Sequence, residues 1–294
     1  MVVGKRFFLS QFPIPNYQLL VPLLFMIKVG IIGCGTIGRE LAISCQKRFR
    51  EEVTLEAIAD TDASHARKLQ KELKPKPQIL STDTLIRRCD LVIEAASKQT
   101  VYEVCKKTLS QGKDVMILSV GGILGKEKEL FQLAKTHRCC LYFPSGGVVG
   151  IDGLKAAGIG KIHRVLLTTR KPPQGFEDAP YVIKHGIRLK NLKQEKLLFE
   201  GDASAAVRGF PKNINVSATL SLAGIGAKKT KVRIIAAPHM LVNVHEVYVV
   251  GDFGSFYTRT ENFPSEQNPK TSRLAILSAV ATLERILKNV KIGT

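Results

Sequence analysis

A glycine-spaced turn, a carboxylate and a histidine are the groups in this sequence with the types and spacing to do chemistry together. Gly33-Cys34-Gly35-Thr36-Ile37-Gly38 has the GxGxxG spacing. Glycines so placed let a chain turn tightly, approach a pyrophosphate, and pack a helix close to a strand. A helix opening at Thr36 and Ile37 would aim free N–H groups and a partial positive charge at the phosphates. Asp60 follows Gly38 by 22 residues, at the end of the next apolar run. A carboxylate there accepts hydrogen bonds from the adenosine ribose hydroxyls of a dinucleotide. It also repels a 2′-phosphate, which favours NAD, although Arg67 and Lys68 could offset that and admit NADP.

Further candidates stand at expected strand ends and turns. Ala96 and Ser97 end one apolar run, where small residues leave room for the nicotinamide ribose or simply suit a turn. His245, in Asn243-Val244-His245-Glu246-Val247, is a candidate proton carrier, though a histidine between valines can equally be a core residue. Lys212, in Phe210-Pro211-Lys212-Asn213-Ile214-Asn215, could bind a carboxylate at a helix start. Arg170, in Thr168-Thr169-Arg170-Lys171, could clamp one from a strand.

The elements that must position these groups follow from periodicity. Short apolar runs at 28–32, 53–59, 91–95, 115–118 and 140–143 alternate with helical spacing at 37–49, 63–73, 99–109 and 126–134. That alternation predicts βαβ units and a parallel, Rossmann-type sheet of the α/β class with helices on both faces. After residue 148 the pattern changes. Helices are expected at 152–157, 203–208 and 213–223, strands at 164–170, 231–236 and 242–260, and a loop over 171–186. Gly251-Asp252-Phe253-Gly254 breaks the last strand as a hairpin turn. These features predict a second α+β domain with an open mixed or antiparallel sheet. A final helix, capped by Asn268 with Pro269 in its first turn, carries an apolar stripe through Leu274, Leu277 and Leu287. The expected organisation is an N-terminal extension at 1–25 and a dinucleotide-binding domain at 26–148. A substrate domain at 149–268 follows, and a helix at 269–294 packs back on the first domain.

Composition narrows the class. The chain has 294 residues, 45% hydrophobic and 23% charged, ordinary values for a globular protein. No run of about eighteen apolar residues is present, so no membrane span is expected. Lys and Arg number 44 against 25 Asp and Glu, a net charge of +19, which attracts anionic ligands. The basic residues are scattered in pairs, without zinc-finger spacing or Trp, so no specific nucleic-acid partner is expected. Six cysteines without a CxxC pair suit packing roles in a reducing, cytoplasmic compartment, and no metal site is expected.

The segments GIIGCGTIG, EAAS, SVGGILG, SGGVVGIDG, LLTTRKPP, LFEGDASAAVRGFPKNINVSATLSLAG, NVHEV, GDFGSF and NPKTS run in order from residue 30 to residue 272. In these the chain resembles the L-aspartate dehydrogenase family. FPKNINV with NVHEV and NPKTS carries the resemblance more specifically than the glycine turn. It implies NAD(P)-dependent oxidation of L-aspartate to iminoaspartate, which hydrolyses to oxaloacetate and ammonia and can feed NAD biosynthesis through quinolinate. It places the active-site histidine on His245 and a cofactor-contacting asparagine on Asn215. A family alanine that contacts the cofactor falls on Gly147, because SGGVVG stands where the family has SGAIGG. The resemblance also implies a homodimer. For the two substrate carboxylates Lys212, Arg170 and Lys270 are the candidate cations. The alternatives are a related two-domain dehydrogenase or reductase acting on another acidic amino acid or imine, and an NAD-binding regulator without catalysis.

Overall fold

The computed structural model describes residues 26–211, 215–266, 268 and 271–293. The first half alternates as β1 (Ile27–Ile32), α1 (Thr36–Lys47), β2 (Val53–Ala59), α2 (Ala63–Glu72), β3 (Gln78–Ile79) and α3 (Thr82–Arg88). It continues with β4 (Leu91–Glu94), α4 (Val101–Ser110), β5 (Asp114–Ile117), α5 (Glu127–His137) and β6 (Leu141–Tyr142). Among the described residues the strands form one parallel sheet in the order β3-β2-β1-β4-β5-β6. The order reverses between β1 and β4, the crevice in which open α/β sheets bind ligands at their carboxyl ends. Both faces are covered, which is why these strands are apolar almost throughout. Val29 and Ile31 of β1 pack with Leu41 and Cys45 of α1, while Ile32 packs on the other side with Leu85, Val104 and Ile117.

The second half contains α6 (Ile151–Ala157), β7 (Ile162–Lys171), α7 (Pro180–Lys184), β8 (Lys196–Asp202), α8 (Ala203–Gly209) and α9 (Asn215–Ala223). Then come β9 (Lys231–Ala236), β10 (Asn243–Gly251), β11 (Gly254–Asn262) and α10 (Arg273–Leu287). The strands form a mixed sheet in the order β11-β10-β7-β9-β8, with β7 and β9 parallel and the other pairs antiparallel. Val165, Leu167, Val247 and Val249 on one face pack against Phe176, Ala206, Phe210 and Leu220. The opposite face carries Arg170, Glu246 and Arg259.

The last helix differs from expectation at its start. Ser272, not Asn268, is its N-cap, and its hydroxyl accepts the Ala275 N–H at 3.2 Å. The Asn268 carbonyl instead accepts the Thr271 N–H at 2.9 Å, and Pro269 lies outside the described residues. The buried stripe is accordingly Ile276, Ala279 and Leu283, while Leu277 is exposed. Ala279 and Leu283 join the core that contains Leu41 and Ala42, so α10 packs on α1.

Candidate active site

Gly33 adopts φ +100°, and a Cβ there would stand 2.4 Å from the Ala95 carbonyl oxygen. Only glycine tolerates both conditions. At Gly38 a Cβ would come within 1.9 Å of the Gly33 oxygen, so this glycine lets α1 start tight against β1. A Cβ at Gly35 would meet nothing within 4 Å, so that part of the turn faces open space. No side chain caps α1, whose first turn opens at Thr36 and Ile37. Uncapped N–H groups beside an open glycine backbone fit a pyrophosphate.

Asp60 ends β2 beside this turn. Its Oδ2 accepts the Cys34 N–H at 2.7 Å and its Oδ1 accepts the Asp62 N–H at 2.9 Å. The carboxylate thus holds the glycine turn and keeps lone pairs for ribose hydroxyls. Cys34 is buried, and burial together with the Asp60 charge pushes its thiol up to about 12, so it is inert.

The loops after β4 and β5, where the sequence predicts the nicotinamide end, are organised by a carboxylate that the sequence did not single out. Glu94, the last residue of β4, is fully buried. It accepts the Ala96 N–H at 2.9 Å, the Ser97 N–H at 3.1 Å, the Ser119 N–H at 3.1 Å and the Ser119 hydroxyl at 2.9 Å. Burial raises its pKa, while these donors pull it back down. One side chain therefore pins the loops after β4 and β5. From the second loop the Gly121 N–H reaches the Asn215 Oδ1 at 3.2 Å, joining it to the N-terminus of α9.

A cavity of about 450 Å³ opens between these loops and the mixed sheet. It brings together Ile37, Ala96, Ser97, Gly147, Asn215 and His245. Gly33, Gly35, Thr36 and Gly38 flank Ile37 in the glycine turn and the start of α1, with Asp60 tied to that turn through the Cys34 N–H, and none of the five lines the cavity. His245 is buried on β10, with Nδ1 3.0 Å from the Thr169 hydroxyl on β7. Burial, with a smaller contribution from the Lys171 charge, pushes its pKa down to about 3, so the ring is neutral. A Cβ on Gly147 would stand 3.2 Å from Ser272 Oγ and 3.5 Å from His245 Cδ2, so little space remains for the family's alanine. The Gly147 carbonyl accepts from Asn262 Nδ2 at 2.9 Å and Thr260 Oγ1 at 3.0 Å, which fixes the strand-end loop.

The expected substrate cations fare differently. Arg170 does not enter the cavity. It pairs with Glu246 and, at 3.3 Å, with Glu195 on the opposite face of the sheet. Strand alternation is the reason: Thr169 faces His245, so Arg170 must face away and Lys171 must face back. Lys171 lines the cavity, as do Lys98, Asn243 and Ser272, none of which the sequence singled out. The phase of Val165 and Leu167 was the signal for Lys171. Lys212 and Lys270 lie outside the described residues. Among the described residues no group of three or more His, Cys, Asp or Glu could hold a metal, and no helix is long and apolar enough to cross a membrane.

Comparison with known proteins agrees with this geometry. Residues 152–286 match the family described as aspartate dehydrogenase, C-terminal, and residues 33–144 match the homoserine dehydrogenase NAD binding domain. An L-aspartate dehydrogenase of Methanosarcina acetivorans is 52% identical over 274 residues, covering 92% of this chain and all of that one. Its counterpart in Methanocaldococcus jannaschii is 38% identical over 272 residues, with the same coverage. The crystal structure of an aspartate dehydrogenase from Thermotoga maritima superposes with a TM-score of 0.68 at 26% identity, covering 91% of this chain and 99% of that one. A homoserine dehydrogenase from Thiobacillus denitrificans shares the fold, with a TM-score of 0.58 at 14% identity. With an uncapped glycine turn, a buried neutral histidine and these relatives spanning its whole fold, the chain belongs to the L-aspartate dehydrogenase family.

Proposed function

We propose that this protein is an NAD(P)-dependent L-aspartate dehydrogenase that converts L-aspartate to iminoaspartate, which hydrolyses to oxaloacetate and ammonia. The observation that carries this is the lining of the cavity. Its described titratable residues are Lys98, Lys171 and His245, with no carboxylate among them. A dianionic substrate fits such a lining, and the helix starts at Asn215 and Ser272 add N-terminal positive charge.

The nicotinamide ring, when bound, supplies the hydride acceptor. The chain supplies position and proton handling. Gly33, Gly35, Thr36, Ile37, Gly38 and Asp60 would hold the adenosine and pyrophosphate, and Asp60 favours NAD over NADP. Ala96, Ser97, Gly147 and Asn215 would hold the nicotinamide end. His245 would act through Nε2, with Nδ1–H donated to Thr169, as the base that takes a proton from the substrate amine or from attacking water. The substrate's two negative charges would move the imidazole back up from its depressed pKa. Lys212 and Lys270 are the remaining candidates for the substrate carboxylates. A cytoplasmic homodimer supplying NAD biosynthesis is the setting that the family suggests.

Absorbance at 340 nm, followed with L-aspartate, D-aspartate and L-glutamate and with NAD and NADP, tests this proposal. L-aspartate should give selective reduction, faster with NAD. His245→Ala should lower kcat by about 10²–10⁴-fold. Reduction with L-glutamate in preference to L-aspartate would favour the alternative of another acidic substrate.

A further inference from the structure

Lys171 is the last residue of β7. It shares its face with Thr169, whose hydroxyl meets His245, and the cavity receives it beside His245 and Asn243. Its backbone is fixed, since its carbonyl accepts the Ala237 N–H at 2.8 Å. Its stem runs beside Gly175, where a Cβ would lie 3.8 Å from the Lys171 Cβ and Cδ. The side chain therefore enters the cavity from an anchored base. The charged groups of the neighbouring strand positions, Arg170, Glu195 and Glu246, pair with one another on the opposite face. Among the described residues, the titratable groups that share the cavity lining with Lys171 are His245 from β10 and Lys98 from the loop after β4. Burial lowers the Lys171 amine to about 8, so a large fraction is neutral at mildly alkaline pH.

The reaction needs such a group. Hydride cannot leave Cα while the substrate nitrogen is an ammonium, because its lone pair must become the C=N bond. The ammonium proton must first pass to a base within reach. The substrate's carboxylates would raise both groups, but His245 starts from about 3 and Lys171 from about 8, so the amine is the better matched acceptor for an ammonium proton.

We propose that Lys171 is a catalytic residue of this site, the base that takes the proton from the substrate's α-ammonium, leaving His245 to serve the water that attacks the imine. This rests on the L-aspartate proposal above. One substrate N–H bond breaks and one Lys171 Nζ–H bond forms. The freed lone pair becomes the C=N bond as the Cα–H electron pair leaves to the bound nicotinamide, which is reduced while Cα is oxidised. The proton on Lys171 passes to solvent before the next turnover.

The test compares the wild-type protein with Lys171→Met, Lys171→Arg and Lys171→Ala from about pH 6 to about pH 10. Calorimetry of NADH, and of succinate in the presence of NADH, runs alongside. Succinate has both carboxylates and no amine. Wild-type kcat/KM should rise with pH through about 8 and then flatten. The Met and Arg variants should lose about 10²–10⁴-fold in kcat, while the Arg variant, which keeps the positive charge, should bind NADH and succinate within about threefold of wild type. Added ethylamine should restore part of the Lys171→Ala rate. A rise in KM with a matching loss of succinate affinity and unchanged kcat would make Lys171 a carboxylate anchor and overturn the base role. Variants within about threefold of wild-type kcat, or a flat wild-type pH profile, would overturn it as well. If wild type itself fails to oxidise L-aspartate, the underlying proposal falls and this one with it. If wild type turns over and the variants keep pace, only the role of Lys171 falls.

Discussion

Asp60 serves the glycine turn twice, as its structural tie and as the proposed ribose acceptor. Asp60→Ala removes the acceptor for the Cys34 and Asp62 N–H groups. It should weaken NADH binding by about 1–3 kcal/mol, roughly 5- to 150-fold, as read by nicotinamide fluorescence. It should also narrow the preference for NAD over NADP. His245 makes a second prediction, for stability. Its folded pKa of about 3 lies below its unfolded value near 6.5, so below that pH the unfolded chain binds a proton that the folded chain refuses. Stability should therefore fall as pH drops from about 6.5 towards about 3, with a contribution of up to about 1.4 kcal/mol per pH unit. Urea titrations of wild type and His245→Gln across that window should show the shallower pH slope in the variant. At this scale the sequence was legible where a motif imposes its own geometry, as in the glycines and Asp60. It misled at Arg170, which faces away from the cavity, because a run of polar residues at a strand end hides the phase that Val165 and Leu167 set. Glu94 was invisible because its importance lies in four donors that only the fold brings together.

The loops after β4 and β5 gain their rigidity from one buried side chain, and α9 meets the second loop through Asn215. Glu94→Gln turns an NH₂ group towards a backbone N–H. It should destabilise the fold by about 1–3 kcal/mol and raise the cofactor KM, with a smaller effect on the KM for L-aspartate. Equal loss on both would show that the pinned loops are not specific to the cofactor. Elements with long periodic patterns were legible: α1, β2, α2 and the β10–β11 hairpin. β8 was not, because Lys196 to Asp202 alternates poorly and is an edge strand whose pairing with β9 decides its state. The short helices α3 and α7 were also missed, being too brief for periodicity to declare them. The start of α10 was misjudged because two cap candidates lie four residues apart, and Ser272 is the one whose hydroxyl meets an N–H of the helix's first turn.

Across the whole molecule, a net charge of +19 surrounds a cavity whose described lining lacks carboxylates. Such a field concentrates a dianion, so kcat/KM for L-aspartate should fall as salt rises from about 0.01 M to about 0.5 M, where the Debye length shrinks several-fold. A kcat/KM indifferent to salt would mean that recognition is entirely local. The two-sheet architecture was legible from alternation in one half and turn-linked strands in the other, and the distant segments FPKNINV and NVHEV pointed to one family. The meeting of Pro211 and Asn215 with Asn243 and His245 in one cavity was not legible, because it depends on how α9 and β10 close on the strand ends of the first sheet. The most direct test of the central claim is the fate of the Cα hydrogen. With L-[2-²H]aspartate and NAD, mass spectrometry should find deuterium in the reduced nicotinamide, and D-[2-²H]aspartate should give none. Reduced cofactor without deuterium, or none at all from the L isomer, would contradict the account.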